Sequence, residues 1–240
     1  MMFILSFCSL ITSTISAIIG MGGGILLLGM MTFFLPYQLL VPIHGAVQLV
    51  SNSSRTFYLR KNIRMDFFIP FILGAPFGYL IAYNILKEIT DYNIFYLVLA
   101  LFVIYAVFKP KKLPEIRIAG YQWSILGLLA GFQGALIGAV GPLLAPFYLR
   151  SDITKEELIA TKAAQQIFIH IFKIPLFLSL DFNYIEHAPL LLLMSFSALI
   201  GSFGGVKLLK KLDEKLFKKL FKSVLLLAAV RLLYKFWVGL

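Results

Sequence analysis

The chain has 240 residues, of which 60% are hydrophobic and 14% charged, and its formal net charge is +11. That balance excludes an ordinary soluble domain and indicates an all-α integral membrane protein. The basic residues sit in short clusters between apolar runs, which reads as cytoplasmic loop anchoring rather than a nucleic-acid footprint, and the lone Cys8 excludes an internal disulfide or a multi-cysteine site.

In chain order, the first apolar segment covers 2–35 and is interrupted by Ile19-Gly20-Met21-Gly22-Gly23-Gly24-Ile25. Gly costs about 1 kcal/mol against Ala inside a helix. Four glycines together therefore predict a broken helix, which survives at membrane depth only when covered by protein or lining a cavity. No Lys or Arg precedes Arg55, so no secretory n-region is evident and the first helix is expected to remain in the mature chain. Segments 38–59, 65–86 and 93–108 follow. The second half gives 119–149, again broken at Ile137-Gly138-Ala139-Val140-Gly141-Pro142-Leu143, then 154–179, 187–209 and 216–238.

A crossing needs about 20 residues, and six segments fit one crossing each. The two broken segments are too long for one untilted helix and too short for two full crossings. Three basic clusters should be cytoplasmic: Arg60, Lys61 and Arg64; Lys109, Lys111, Lys112 and Arg117; and seven lysines from Lys207 to Lys222. The neutral-to-acidic loops 87–91 and 181–187 should face outward. One crossing per segment would put the seven-lysine loop outside. The conflict disappears if 119–149 enters and leaves on the same side. The expected fold is an all-α membrane protein of two inverted repeats, 1–112 and 113–240. Each is a broken, re-entrant helical hairpin followed by three transmembrane helices. Eight plain spans with one charge-rule violation remain the alternative.

A shift of 118 aligns residues 17 to 55 with the second half without a gap, and Gly20, Gly23 and Gln48 fall on Gly138, Gly141 and Gln166. Gly74 and Gly78 resemble Gly201 and Gly205, both pairs at the GxxxG spacing that lets helices approach closely.

After each hairpin comes a helix with a polar stripe. The first carries His44, Gln48, Asn52 and Arg55; the second carries Lys162, Gln166, His170 and Lys173. The spacings of four, four and three place each set on one helical face. Polar groups in a span usually face a bundle interior or a water-filled cavity. Duller readings stand beside this one. His44 could pack at the interface, Arg55 and Lys173 could snorkel to headgroups, Lys162 could anchor a helix start, and Gln48 and Gln166 could be interhelical glue. Asp66, at the start of its span, reads as a cap. No carboxylate accompanies either stripe, which suits an anion better than a cation. Half-helix N-termini at Gly22, Gly23 and Gly24, and more weakly at Gly141, would add main-chain N–H donors. The candidate substrate-binding set is Gly22, Gly23, Gly24, His44, Gln48, Asn52, Arg55, Gly141, Lys162, Gln166 and His170. No catalytic residue, metal or cofactor is expected.

With the two glycine patches in this order, and the Asn62-to-Asp66 turn leading into the span with Gly74 and Gly78, nearly the whole chain resembles the TauE/SafE sulfite exporter family of bacterial membrane proteins. The resemblance implies a multi-pass permease of the cytoplasmic (inner) membrane for small sulfur-containing anions such as sulfite, thiosulfate or organosulfonates. Two departures stand out. Ala139-Val140 occupies a place where the family tends towards glycine, and the cysteines that related thiosulfate importers use along their path are not matched. The expectation is a secondary transporter and not an enzyme, with export the favoured direction and an uncoupled anion channel as the alternative. Its partners are the small inorganic or organosulfur anion and membrane lipid, with no nucleic acid and with a homodimer left open. No nucleotide-binding motif is present, so coupling would come from an ion gradient, the membrane potential or a separate partner.

Overall fold

Glycine placement decides where this chain turns. The structure, a computed structural model, describes residues 1–19, 22–89, 91–108, 116–148, 150–208 and 214–239, excepting the side chains of 19, 206–208, 214–222 and 224. Gly20, Lys109, Lys111, Lys112 and the seven-lysine side chains therefore lie outside what is described. Among the described residues the regular structure is helical, with no strand.

The first broken segment forms α1 (Met2–Ile19) and α2 (Gly23–Met31). Gly22 precedes α2 at φ 97°, in the left-handed region that disfavours a side chain. A Cβ on Gly23 would lie 2.1 Å from both the Ser16 hydroxyl and the Thr12 carbonyl. In a straight helix, residues 12 and 23 would be about 16 Å apart, so α2 has folded back onto α1. Gly23→Ala is accordingly expected to destabilise the protein by about 2–3 kcal/mol through overpacking. Thermal unfolding in detergent measures this, and a wild-type Tm would contradict the packing.

The second broken segment forms α6 (Gln122–Ile137) and α7 (Gly141–Tyr148). Gly138 ends α6 at φ 92°, its N–H donating to the Gly134 carbonyl. Trp123, near the start of α6, and Tyr148, at the end of α7, have ring centroids 5.4 Å apart. Arg117 Nη2 donates to Ser151 Oγ at 3.5 Å. The segment thus enters and leaves at one end of the bundle. Pro142 sits in the first turn of α7, where its missing N–H costs nothing.

The striped helices, α3 (Tyr37–Leu59) and α8 (Lys155–Leu178), run antiparallel. Gly45 of α3 approaches Lys173 of α8, whereas Arg64, beyond the end of α3, donates its N–H to Thr161 Oγ1 at 2.9 Å, near the start of α8. A capping box starts α8: the Thr154 side chain accepts from the Glu157 N–H, and the Glu157 carboxylate accepts from the Thr154 N–H.

The remaining helices bind the halves together reciprocally. On α4 (Met65–Glu88), a Cβ on Gly74 or Gly78 would lie 1.8 or 1.9 Å from the Ser124 or Leu128 carbonyl oxygen of α6. On α9 (Ala188–Leu208), a Cβ on Gly201 or Gly205 would lie 2.3 or 2.5 Å from the Leu10 or Thr14 carbonyl oxygen of α1. Each hairpin therefore packs on the helix that directly follows the other hairpin's striped helix. α5 (Asn93–Phe108) packs with α10 (Glu214–Val238), and Arg231 of α10 donates to the Thr32 and Phe33 carbonyls after α2.

Burial is inverted relative to a soluble protein. Leu73, Phe77 and Leu80 of α4 and Leu192 and Phe196 of α9 are exposed, while Lys173 is fully buried. Such a surface needs an apolar solvent. By length and composition, Met65–Glu88 and Ala188–Gly205 are apolar enough to cross a membrane among the described residues.

Candidate functional site

Both helix breaks and both stripes converge on one cavity. The first hairpin contributes Ser16, Gly22, Gly24 and Ile25, and α3 contributes His44, Gln48 and Arg55. The second hairpin contributes Ala139, Val140 and Gly141, and α8 contributes Lys162, Gln166 and His170. The antiparallel crossing of α3 and α8 brings these sets together: the His44 and His170 rings stand 6.0 Å apart, nearly edge to face. The cavity volume is about 20 Å³, which is room for roughly one water.

Glycine at the hairpin tips makes this space. A Cβ on Gly24 would meet the Gln48 amide at 3.5 Å, and one on Gly141 would stand 4.0 Å from Lys162 Nζ. A side chain at either tip would therefore compete with polar groups for a very small volume.

The polar groups are held from behind. His44 Nε2 lies 2.9 Å from the Gly24 carbonyl oxygen. A carbonyl only accepts, so Nε2 carries the proton and donates. His44 Nδ1, His170 Nδ1 and Arg55 Nε are buried without a protein partner. Asn52 donates through Nδ2 to the Gln48 carbonyl at 2.8 Å, and its Oδ1 accepts from Arg55 Nη2 at 2.5 Å. Asn52 therefore orients Arg55 rather than facing the cavity. Gly23, packed against α1, does not line it either. The other nine candidates named from sequence do.

Sequence periodicity missed Ser16, Ile25, Ala139 and Val140. Ser16 had a signal, since Ser9, Thr12, Ser13 and Ser16 make one hydroxyl-rich face of α1 and all four are buried. The snorkelling reading fails for Lys173, and headgroup anchoring fails for Lys162: they are 0% and 2% exposed. Asp66 is not a cap residue, because it sits inside the first turn of α4 and pairs with Arg64 at 2.7 Å. Gln165, beside Gln166, turns away and bridges the Tyr148 hydroxyl and the Phe67 carbonyl.

Among the described residues no Asp or Glu lines the cavity. The carboxylates that pair with Arg64 and Arg150 (Asp66, Glu157 and Asp152) belong to the bundle end where α4 and α8 begin. Among the described residues no cluster of His, Cys, Asp or Glu could hold a metal ion. Arg55 and Lys162 are both buried at the cavity wall. An anion in the cavity would lie against both cations, with amide, hydroxyl and imidazole groups completing its hydrogen bonds.

No curated protein and no solved structure matches the chain. The family model described as sulfite exporter TauE/SafE matches residues 5–232. That match spans both hairpins, both striped helices and the cavity between them, and the chain belongs to the sulfite exporter TauE/SafE family.

Proposed function

We propose that this chain is a multi-pass secondary transporter of the cytoplasmic membrane that carries small sulfur-containing anions such as sulfite or thiosulfate, with export as its working direction. The observation that carries the reading is a buried cavity whose wall holds Arg55 and Lys162 and, among the described residues, no carboxylate. The two hairpins act as re-entrant arms from opposite faces. The antiparallel α3 and α8, and the reciprocal packing of α4 on α6 and of α9 on α1, support two inverted halves of 1–112 and 113–240.

The cavity is narrow, with a volume of about 20 Å³, which favours alternating access over an open anion channel. Rocking of one half against the other would enlarge it towards one side at a time. Its size also ranks the substrates: a compact oxyanion needs less widening than an organosulfonate. An inside-negative potential drives an anion outward by about 2.3 kcal/mol per charge at 100 mV, so export needs no proton.

Reconstituted into liposomes, the protein is expected to show saturable sulfite flux that rises with a potential negative on the sulfite-loaded side. Thiosulfate and sulfate flux measured alongside would give the selectivity. Flux no greater than in empty liposomes overturns the reading, and large unsaturating conductance in single-channel recording replaces it with the channel.

A further inference from the structure

We infer that Lys173 is a positioning residue: it caps the broken end of α6 so that the helix's negative end does not oppose an anion in the cavity. This rests on the anion-transport reading above. A helix leaves its last carbonyls without intrahelical partners, and they form the negative end of the helix dipole. Here α6 ends at Ile137, and the next residues after Gly138 are Ala139, Val140 and Gly141 of the cavity wall. An uncovered Gly138 carbonyl would thus present partial negative charge beside the site meant for an anion.

Lys173 Nζ donates to that carbonyl at 2.6 Å. The lysine is fully buried and is not among the cavity-lining residues. Its role therefore differs from that of Lys162 on the same helix. The lysine stem reaches its place because α3 has a glycine at the crossing: a Cβ on Gly45 would stand 2.7 Å from Lys173 Cδ. The neighbouring His44 bonds a main-chain oxygen at the other hairpin, donating to the Gly24 carbonyl in the first turn of α2 at 2.9 Å. The striped helices thus hold a main-chain oxygen at each hairpin tip, one with an imidazole and one with an ammonium group. Among the described residues the geometry divides the buried cations into two that line the cavity, Arg55 and Lys162, and one that serves the backbone, Lys173.

The test uses the full chain in liposomes with sulfite. Lys173→Met keeps the volume and removes the cation, and it should raise KM about tenfold or more while the maximal rate changes less. Lys173→Arg keeps a charged donor and should restore KM to within about threefold of wild type. Gly45→Ala keeps the lysine but displaces its stem, and should raise KM in the same direction. Unchanged KM in both the Met variant and Gly45→Ala overturns the proposal, as does an arginine variant no better than the methionine one. A readout without substrate separates this from a failure of the transport reading. With Cys8→Ser and Ala139→Cys as background, labelling of position 139 by a small maleimide should be about fivefold faster when Lys173→Met or Gly45→Ala loosens the tip. An unaltered labelling rate overturns the proposal whether or not the wild-type protein carries sulfite.

Discussion

Arg55→Met is expected to lower sulfite kcat/KM by about 10- to 100-fold, because a hydrogen bond to a charged group is worth about 1.5–3 kcal/mol. Several observations converge on this residue. Arg55 is 6% exposed, lines the cavity, and has Nε buried without a protein partner. Its one described side-chain hydrogen bond goes backwards to Asn52, which fixes the guanidinium and leaves its remaining donors for a ligand. Methionine keeps much of the stem packing and removes the charge and all donors. The loss should fall on KM more than on the amount of assembled protein. Arg60→Met is the control: Arg60 is exposed and stands over the Phe57 ring, at the end of α3 and away from the cavity. Concentration-dependent flux measures both variants. Equal KM for Arg55→Met and wild type would remove Arg55 from the binding wall.

Gly78→Leu is expected to have the largest structural effect, costing about 3 kcal/mol or more, because the clash is with backbone and no rotamer relieves it. A Cβ there would lie 1.9 Å from the Leu128 carbonyl oxygen and 2.5 Å from the Phe132 backbone nitrogen. The obstruction is mutual, since a Cβ on Gly127 or Gly131 of α6 would lie 2.0 or 2.2 Å from the Phe71 or Ala75 carbonyl oxygen of α4. Backbones this close exchange dispersion and weak Cα–H···O contacts that larger residues would forbid. Size-exclusion chromatography in mild detergent should show aggregated or degraded protein. Leu73→Ala on the exposed face of α4 should leave the elution profile unchanged. A monodisperse Gly78→Leu protein with wild-type Tm would mean that α4 and α6 are not in contact.

Both predictions concern features that were legible before any fold was known. Glycine is the one residue whose spacing reports backbone approach directly, so GxxxG at 74/78 and 201/205 pointed to helix contacts. The partners were a different matter. Nothing in 65–86 indicates that it packs on 119–149 rather than on 2–35, because apolar faces in a lipid-like environment are chemically interchangeable. The reciprocal arrangement follows from how the whole bundle closes, which depends on contacts fifty or more residues apart.

The sequence by itself determined the helix breaks and the faces. Glycine's freedom at positive φ places the turns at Gly22 and Gly138, and the helical repeat places His44, Gln48 and Arg55 on one side of α3 and Lys162, Gln166 and His170 on one side of α8. Only the tertiary structure decided what each member of a stripe does. Two residues on the same face, Arg55 and Asn52, part company because one reaches the cavity while the other bonds back to its own helix. Lys162 and Lys173 differ for the same reason: the antiparallel crossing of α3 and α8 sets one at the cavity wall and the other against the end of α6. Periodicity fixes a direction to within a face, about a third of a turn. The distance at which a polar atom stops is fixed by the helix packed against it, and that is a property of the assembled bundle.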